Sequence, residues 1–97
     1  MFGKAKELYD FQKKARQIQK ELRAEIIEKE VGAVKVKING EQKIQSVEID
    51  PELVDTNSIN ELESDIKSAV EQAIAESQKI AADKMKDITG GLGIPGM

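Results

Sequence analysis

The chain has 97 residues, a length that fits one domain, and it contains neither cysteine nor histidine. Disulfides, thiolate chemistry, zinc sites built from Cys and His, and a histidine base near neutral pH are therefore excluded. The formal net charge of −3 argues against nucleic-acid binding when it is taken alone. The charge is unevenly distributed, however: residues 1–23 carry seven basic and three acidic side chains (net +4), and residues 24–97 carry eight basic and fifteen acidic ones (net −7).

The N-terminal residues and the lengths of the apolar runs predict a cytoplasmic protein. Lys4, Lys6 and Glu7 stand where a signal peptide would need an apolar stretch. No apolar run approaches the ~18–20 residues that a membrane-spanning helix requires. We therefore expect no membrane segment, and the lack of cysteine suits a reducing compartment.

The first predicted element is an amphipathic helix from about residue 4 to residue 24. Its apolar side chains recur at intervals of three and four residues without an intervening Gly or Pro, and they are Leu8, Phe11, Ala15, Ile18 and Leu22. The basic side chains lie outside this seam, and Lys6, Lys13 and Lys20 are spaced by seven residues along one side of the helix. Such a row can meet phosphates, and each contact adds a salt-sensitive, sequence-independent contribution to binding. An ordinary solvated helix is the alternative, because three acidic residues partly neutralise the charge.

Three strands are predicted after this helix, over about residues 25–31, 33–39 and 43–50. For the first, the last turns of the helix are the alternative, but its β-branched residues and the following Gly32 favour a strand. In the second, apolar residues alternate with lysines, which is the pattern of a strand with one buried face. Asp50-Pro51 ends the sheet, because proline cannot donate a hydrogen bond to a ladder.

The dipeptide Asn39-Gly40 favours a hairpin between the second and third strands. A three-residue loop starting at Asn39 and ending at Glu41 would place Val36 opposite Ile44. The next apolar residue, Val47, follows Ile44 after three positions rather than two. We therefore predict a β-bulge near Gln45-Ser46 that returns Val47 to the core face.

A second amphipathic helix is predicted from about residue 58 to residue 89. Ser58 and Glu61 fit a capping box at its start, and Gly90-Gly91 mark its end. Its apolar stripe continues along the whole length and comprises Ile59, Leu62, Ile66, Ala69, Val70, Ala73, Ile74, Ser77, Ile80, Ala81, Met85 and Ile88. Residues 90–97 are rich in Gly and Pro, show no periodicity and are expected to form a flexible tail.

The length of the second helix predicts a dimer. About thirty residues at a rise of ~1.5 Å extend over ~45 Å, whereas a compact chain of this size has a radius of gyration of ~13 Å. The helix should therefore project beyond the sheet and expose its stripe, which a two-fold partner would cover. The candidate interface residues are Ile74, Ile80, Met85 and Ile88. The alternative is that the first helix covers the stripe as an antiparallel hairpin, although that helix is shorter and must also cover the sheet.

No arrangement of residues indicates catalysis. The residues from Gly91 to Gly96 match G-x-G-x-x-G, but a helix precedes them where a dinucleotide site needs a strand. The carboxylates of the second helix lie mainly on its polar face, where they are normally just solvated. We expect a protein that is not an enzyme, with no metal, no cofactor and no small-molecule substrate.

The sequence resembles the YbaB/EbfC family of bacterial nucleoid-associated DNA-binding proteins along essentially its whole length. The matching segments are the start Met1-Phe2-Gly3-Lys4, the Gln-rich segment 12–19, the block 32–40 with its continuation 46–53, and the tail 85–96. The resemblance implies an α+β fold of order α-β-β-β-α, with a three-stranded antiparallel sheet between two long amphipathic helices, in a single domain over residues 1–89. It also implies a tweezer-like homodimer. Many relatives have a Gly-rich loop between the first two strands, whereas this chain has only Val31-Gly32, so the first hairpin should be tight.

The resemblance further implies nucleoid-associated binding of double-stranded DNA with low sequence specificity. The leading hypothesis is that basic faces of the paired first helices grip the DNA backbone. The candidate DNA-binding residues are Lys4, Lys6, Lys13, Lys14, Arg16, Lys20 and Arg23. The alternative is a protein-interaction module that captures a partner between the projecting helices, through Leu92, Ile94 and the apolar stripe.

Overall fold

The structure, a computed structural model, describes the backbone of residues 2–91 and the side chains of residues 4–86. Helix α1 (Phe2–Ala24) leads into strands β1 (Ile26–Val31), β2 (Val34–Asn39) and β3 (Ile44–Ile49), and a 3-10 turn (Pro51–Leu53) precedes helix α2 (Ile59–Gly91). The strands form one antiparallel sheet in the order β1-β2-β3. This is the predicted α-β-β-β-α fold, and the segment after the first helix is a strand. The predicted flexible tail lies, from residue 92 onward, outside the described residues.

The first hairpin is as tight as the short Val31-Gly32 connection predicts. Val31 lies opposite Val34, so only Gly32 and Ala33 connect β1 to β2. Gly32 has a φ of 55°, a left-handed conformation that glycine adopts without the steric cost that a Cβ brings.

The second hairpin turns one residue later than predicted. The Asn39 N–H donates to the Lys43 carbonyl over 3.0 Å, which leaves Gly40, Glu41 and Gln42 as the loop. The left-handed residue is Gln42, with a φ of 66°, rather than Gly40. The Asn39 side chain explains this placement, because its Oδ1 accepts hydrogen bonds from the backbone N–H groups of Glu41 and Lys43 over 2.9 and 3.0 Å.

This shift changes the strand register. The expected pairing of Val36 with Ile44 is wrong, because Val36 lies opposite Val47 and Ile38 lies opposite Ile44. The predicted β-bulge is confirmed, since the register moves from Ile44 to Ser46 between adjacent positions of β2 and leaves Gln45 without a partner. The bulge returns Val47 to the same face as Ile44, as the spacing predicted.

The second hairpin loop is anchored to both helices. The Gly40 N–H donates to the Leu22 carbonyl over 2.7 Å, near the C-terminal end of α1. The buried Ser77 hydroxyl of α2 donates to the Asn39 carbonyl over 2.8 Å. These bonds fix the ends of α1 and of β2 against the middle of α2, and they satisfy polar groups that burial would otherwise penalise.

The close contact at Gly40 leads to a stability prediction. A Cβ at this position would lie 2.8 Å from the Leu22 carbonyl oxygen and 3.0 Å from its Cα, so the backbone of α1 would have to move. We expect Gly40→Ala to lower the free energy of unfolding by about 2 kcal/mol, the typical cost of overpacking. Urea denaturation followed by circular dichroism measures this difference.

The matched control for Gly40→Ala lies in the same loop. Gln42→Gly relieves a left-handed conformation, and we expect stability that is unchanged or higher by up to about 1 kcal/mol. Equal destabilisation by both variants would show that the loop responds to any substitution and that the contact with Leu22 is not the cause.

Helix α2 packs on one face of β1 and β2 to form the main core. Ala69, Ala73 and Ser77 are fully buried, and these small side chains let the helix approach the sheet closely. They meet Val34, Val36 and Ile38, which are also fully buried. The lysines that alternate with these apolar residues point to the other face of the sheet, where the Glu28 carboxylate lies 3.9 Å from the Lys37 ammonium. That face is polar and needs no apolar cover. The expectation that α1 must also cover the sheet is therefore wrong.

Helix α1 instead runs back along the C-terminal half of α2. Ile18 and Leu22 are buried against Ile80 and Ala81, so the antiparallel alternative is correct for this part of the stripe. Lys84 of α2 reinforces the pairing, because its Nζ lies 3.5 Å from a Glu21 carboxylate oxygen. The two helices extend from one end of the sheet, which makes the molecule 69 Å long with a radius of gyration of 18.9 Å. Projection beyond the sheet is therefore confirmed.

The two ends of α2 differ in detail from the predictions. The helix begins at Ile59, directly after the predicted N-cap Ser58. The Ser58 hydroxyl donates to Asp55 over 3.4 Å, and the Glu61 N–H donates to the Ser58 carbonyl rather than to the hydroxyl expected in a capping box. At the other end the helix includes both Gly90 and Gly91, which were predicted to stop it.

Candidate nucleic-acid interface

All seven bases proposed for DNA binding lie on α1, and their side chains are exposed. They do not lie on one face. At about 100° per residue, most of them fall within an arc of about 100° that lies opposite the apolar seam and contains no acidic residue. We call this set the basic face, and it consists of Lys6, Lys13, Arg16, Lys20 and Arg23.

The other two bases of the set lie off the basic face. Lys4 falls on the side of the apolar seam, and Lys14 falls on a flank that also carries Glu7, Asp10 and Glu21. The sequence-based set treated all seven bases alike, although the acid-free arc is visible in the sequence once the helix bounds are known.

Ion pairs distinguish Arg23 from the other four residues of the basic face. Arg23, at the sheet end of α1, is held by the Glu41 carboxylate, with 2.8 Å between Nε and Oε1. Within the described part of the chain, Lys6, Lys13, Arg16 and Lys20 form no ion pair with an acidic side chain. These charged groups therefore face solvent, and they can bind phosphate groups without first breaking an ion pair with an acidic side chain.

A cluster of six acidic residues lies at the opposite end of the molecule. This acidic end comprises the loop after β3 and the first turns of α2, beside the hairpin between β1 and β2. Its acidic residues are Asp50, Glu52, Asp55, Glu61, Glu63 and Asp65. Since α1 leaves from the other end of the sheet, these six carboxylates and the basic face lie towards opposite ends of a molecule that is 69 Å long. The molecule is an electrostatic dipole in spite of its net charge of −3.

The four residues proposed for a dimer interface have different surroundings. Ile74 is partly buried at the edge of the main core, and Ile80 packs within its own chain against both core clusters. Met85 is 47% exposed. The side chain of Ile88 lies outside the described residues.

The largest uncovered apolar surface of the sheet lies on β3 and was not among the predicted interface residues. Ile44, Val47 and Ile49 of β3 share a face with the buried residues of β2, because they lie directly opposite Ile38, Val36 and Val34. Their exposed fractions are 46%, 47% and 43%, whereas the three partners are fully buried. We call these three residues of β3 the β3 strip. Helix α2 covers β1 and β2 and leaves the strip uncovered within one chain.

One residue of the predicted interface set, Ile74, lies on the side of α2 that is nearer to the β3 strip. Glu76 pairs with Lys29 of β1 over 4.0 Å, which fixes one flank of α2 above that strand. Ile74 lies about 160° around the helix from Glu76 and so occupies the opposite flank, on the side of β3. This flank of α2 therefore borders the uncovered strip. The apolar pattern of β3 in the sequence indicates the strip, but only the position of α2 shows that the strip is uncovered.

No helix within the described residues is long and apolar enough to span a membrane.

Comparison with known proteins supports the resemblance noted from the sequence. The model of the YbaB/EbfC DNA-binding family matches residues 1–92. A nucleoid-associated protein of Thermoanaerobacter sp. (strain X514) is 36% identical over 94 residues, which cover 95% of this chain and 85% of that protein. A nucleoid-associated protein of Clostridium novyi (strain NT) is 40% identical over 92 residues, covering 89% of this chain and 80% of the relative.

A solved structure supports the fold independently of close sequence similarity. The crystal structure of an uncharacterized protein from Helicobacter pylori has a TM-score of 0.66 and 18% sequence identity, and the match covers 78% of this chain and 90% of that one. At this identity the likeness shows the fold alone. Because the family model spans nearly the whole chain and bacterial relatives match most of its length, the protein belongs to the YbaB/EbfC DNA-binding family.

Proposed function

We propose that the protein binds double-stranded DNA in the bacterial nucleoid as a homodimer, through the basic faces of its two α1 helices and with low sequence specificity. The observation that carries this proposal is the acid-free basic face on a helix that projects from the sheet. Lys and Arg side chains on such a face suit phosphates, which are the same in every sequence. The curated relatives are named nucleoid-associated proteins, which agrees with this role.

The β3 strip is the surface that we propose for the dimer contact. Pairing two strips, each flanked by Ile74, would cover side chains of which nearly half is exposed in one chain. A two-fold arrangement is the commonest way to cover such a surface, because the same patch serves both subunits. Ile80 is packed against α1 in its own chain, so the contact is centred on β3 rather than on the far end of α2.

The acidic end orients the dimer in this proposal. Its carboxylates repel DNA, so the duplex is approached by the projecting helices and not by the loop after β3. The dimer would present two basic faces on arms that extend from a common sheet region. This arrangement gives a reason for DNA binding by a chain whose net charge is negative.

The salt dependence of binding tests the proposed mode. If Lys6, Lys13, Arg16 and Lys20 of both arms contact phosphates, the slope of log K against log salt should be about −7, whereas a single arm should give about −3.6. A titration of a labelled duplex at several salt concentrations, followed by gel shift or anisotropy, measures the slope. A slope near zero contradicts binding through the basic face, and binding that depends on one particular duplex sequence contradicts low specificity.

A further inference from the structure

The single tyrosine of the chain lies within the basic face. Tyr9 is 60% exposed, and it belongs to α1 but not to the apolar seam. At about 100° per residue, it falls between Arg16 and Lys20 in projection along the helix axis. Lys6 lies one turn before it and Lys13 one turn after it, so a cationic side chain flanks the ring on either side.

The position of Tyr9 serves no packing role in the described chain. The seam that contacts α2 contains Phe11, Ala15, Ile18 and Leu22. Tyr9 lies roughly opposite that seam, where its ring covers no core residue. A large aromatic side chain on a charged, projecting helix is therefore available to a ligand, and its hydroxyl can donate a hydrogen bond.

We propose that Tyr9 is a DNA-contacting residue whose hydroxyl donates a hydrogen bond to a phosphate oxygen of the duplex while its ring lies against the adjacent sugar. Lys6 and Lys13 neutralise the phosphates on either side. This proposal rests on the proposed DNA-binding function of the basic face. Tyrosine is one of the side chains that position proteins on the backbone without reading sequence, which agrees with the low specificity proposed above.

The geometry favours a duplex backbone over unpaired bases. Proteins that bind single strands stack successive bases on several aromatic side chains. Phe11, the other aromatic residue whose side chain is described, lies in the seam that packs on α2. One tyrosine between two lysines suits a phosphate and its sugar better than a row of bases.

Two substitutions test the contact. We expect Tyr9→Phe to weaken duplex binding about fivefold, because the phosphate loses a hydrogen-bond donor. Tyr9→Ala should weaken binding by about tenfold or more, because the contact of the ring is lost as well. Neither change removes a charge, so both variants should keep the salt slope of the parent, whereas Lys13→Ala should reduce its magnitude.

The matched control is Leu8→Ala. Leu8 is 58% exposed and adjacent in sequence, but it points away from the basic face. We expect its truncation to change the affinity less than twofold. An affinity of Tyr9→Phe equal to that of the parent would overturn the proposal, as would stronger binding of a single-stranded oligonucleotide than of the duplex.

A spectroscopic measurement separates this proposal from the proposed function. Because Tyr9 is the only tyrosine, incorporation of 3-fluorotyrosine gives the full chain a single ¹⁹F label. We expect the ¹⁹F resonance to shift on titration with duplex DNA and to saturate with the affinity measured by gel shift. Gel-shift binding without a ¹⁹F shift would overturn the Tyr9 contact alone, whereas no gel-shift binding at all would overturn the proposed function as well.

Discussion

Reversing three bases of the basic face, in the variant Lys13→Glu, Arg16→Glu, Lys20→Glu, is expected to lower duplex affinity by at least about 10³-fold at 0.1 M salt. A dimer would lose six phosphate contacts. Proteins with six to ten such contacts lose about 10³–10⁵-fold in affinity when salt merely weakens them between about 50 and 200 mM, so removal of six should cost at least as much. The six glutamates would also repel the backbone at short range. Fluorescence anisotropy with a labelled duplex measures the loss.

The fold of this variant should be intact. All three side chains are exposed, and within the described residues none of them forms an ion pair. Surface substitutions of this kind usually change stability by about 0.5 kcal/mol or less. Circular dichroism and a urea titration should therefore match those of the parent, which separates a lost interface from a lost structure.

A second triple variant tests position against net charge. Lys43→Glu, Lys67→Glu, Lys79→Glu changes the charge of each chain by the same −6, and all three lysines are exposed and lie outside α1. We expect only the weaker effect of the overall field, about tenfold or less, which fades with added salt. Equal losses in the two variants would refute the basic face as the DNA-binding surface and leave net charge as the cause.

Placing a charge in the β3 strip is expected to yield a monomer. Val47 is the middle residue of the strip and 47% exposed. Val47→Asp puts a carboxylate at the centre of the proposed contact, where burial of an unpaired charge is strongly unfavourable. In one chain the same side chain can remain in water, so the monomer should fold. Sedimentation velocity should show a species of 10.7 kDa for the variant and of about 21 kDa, twice that mass, for the parent.

Loss of the dimer should also weaken DNA binding. Two arms on one dimer bind the duplex bivalently, and bivalent binding raises affinity by about 10²-fold or more when both sites can be engaged. We expect Val47→Asp to lose affinity on that scale and its salt slope to fall to about half, because only one basic face remains per molecule.

Ile26→Asp is the matched control for Val47→Asp. Ile26 is 55% exposed and lies on the opposite, polar face of the sheet, because its neighbour Ile27 is buried against α2. The substitution is of the same kind at similar exposure, and we expect the dimer and its DNA affinity to persist. A monomeric parent, or a Val47→Asp variant that still sediments as a dimer, would reject the β3 strip as the interface.

Local sequence patterns predicted α1, β2 and α2, and for β1 they left the last turns of the first helix as an alternative. The seam of α1, the alternation in β2 and the stripe of α2 each have the period of the element that they form, and period is a local property. The bulge at Gln45 was predictable for the same reason: Ile44 and Val47 are three positions apart, so one extra residue must be accommodated before both can lie on the same face. The bases of α1 were also found from composition and spacing alone.

Contacts between distant residues decided the remaining features. The Asn39 side chain places the turn at Gly40, Glu41 and Gln42. The hydrogen bonds from Gly40 to Leu22 and from Ser77 to Asn39 then hold this loop against both helices. No local pattern contains these contacts, because their partners lie on the two helices.

The sequence by itself determined the order of the elements, the apolar sides of α1, β2, β3 and α2 and the basic character of α1, because each depends on the period or charge of neighbouring residues. Only the tertiary structure decided that α1 packs on Ile80 and Ala81 and that α2 covers β1 and β2 but leaves the β3 strip exposed. An apolar pattern shows which side of an element avoids water. The packing of the whole chain determines whether that side is covered within the chain or by a partner.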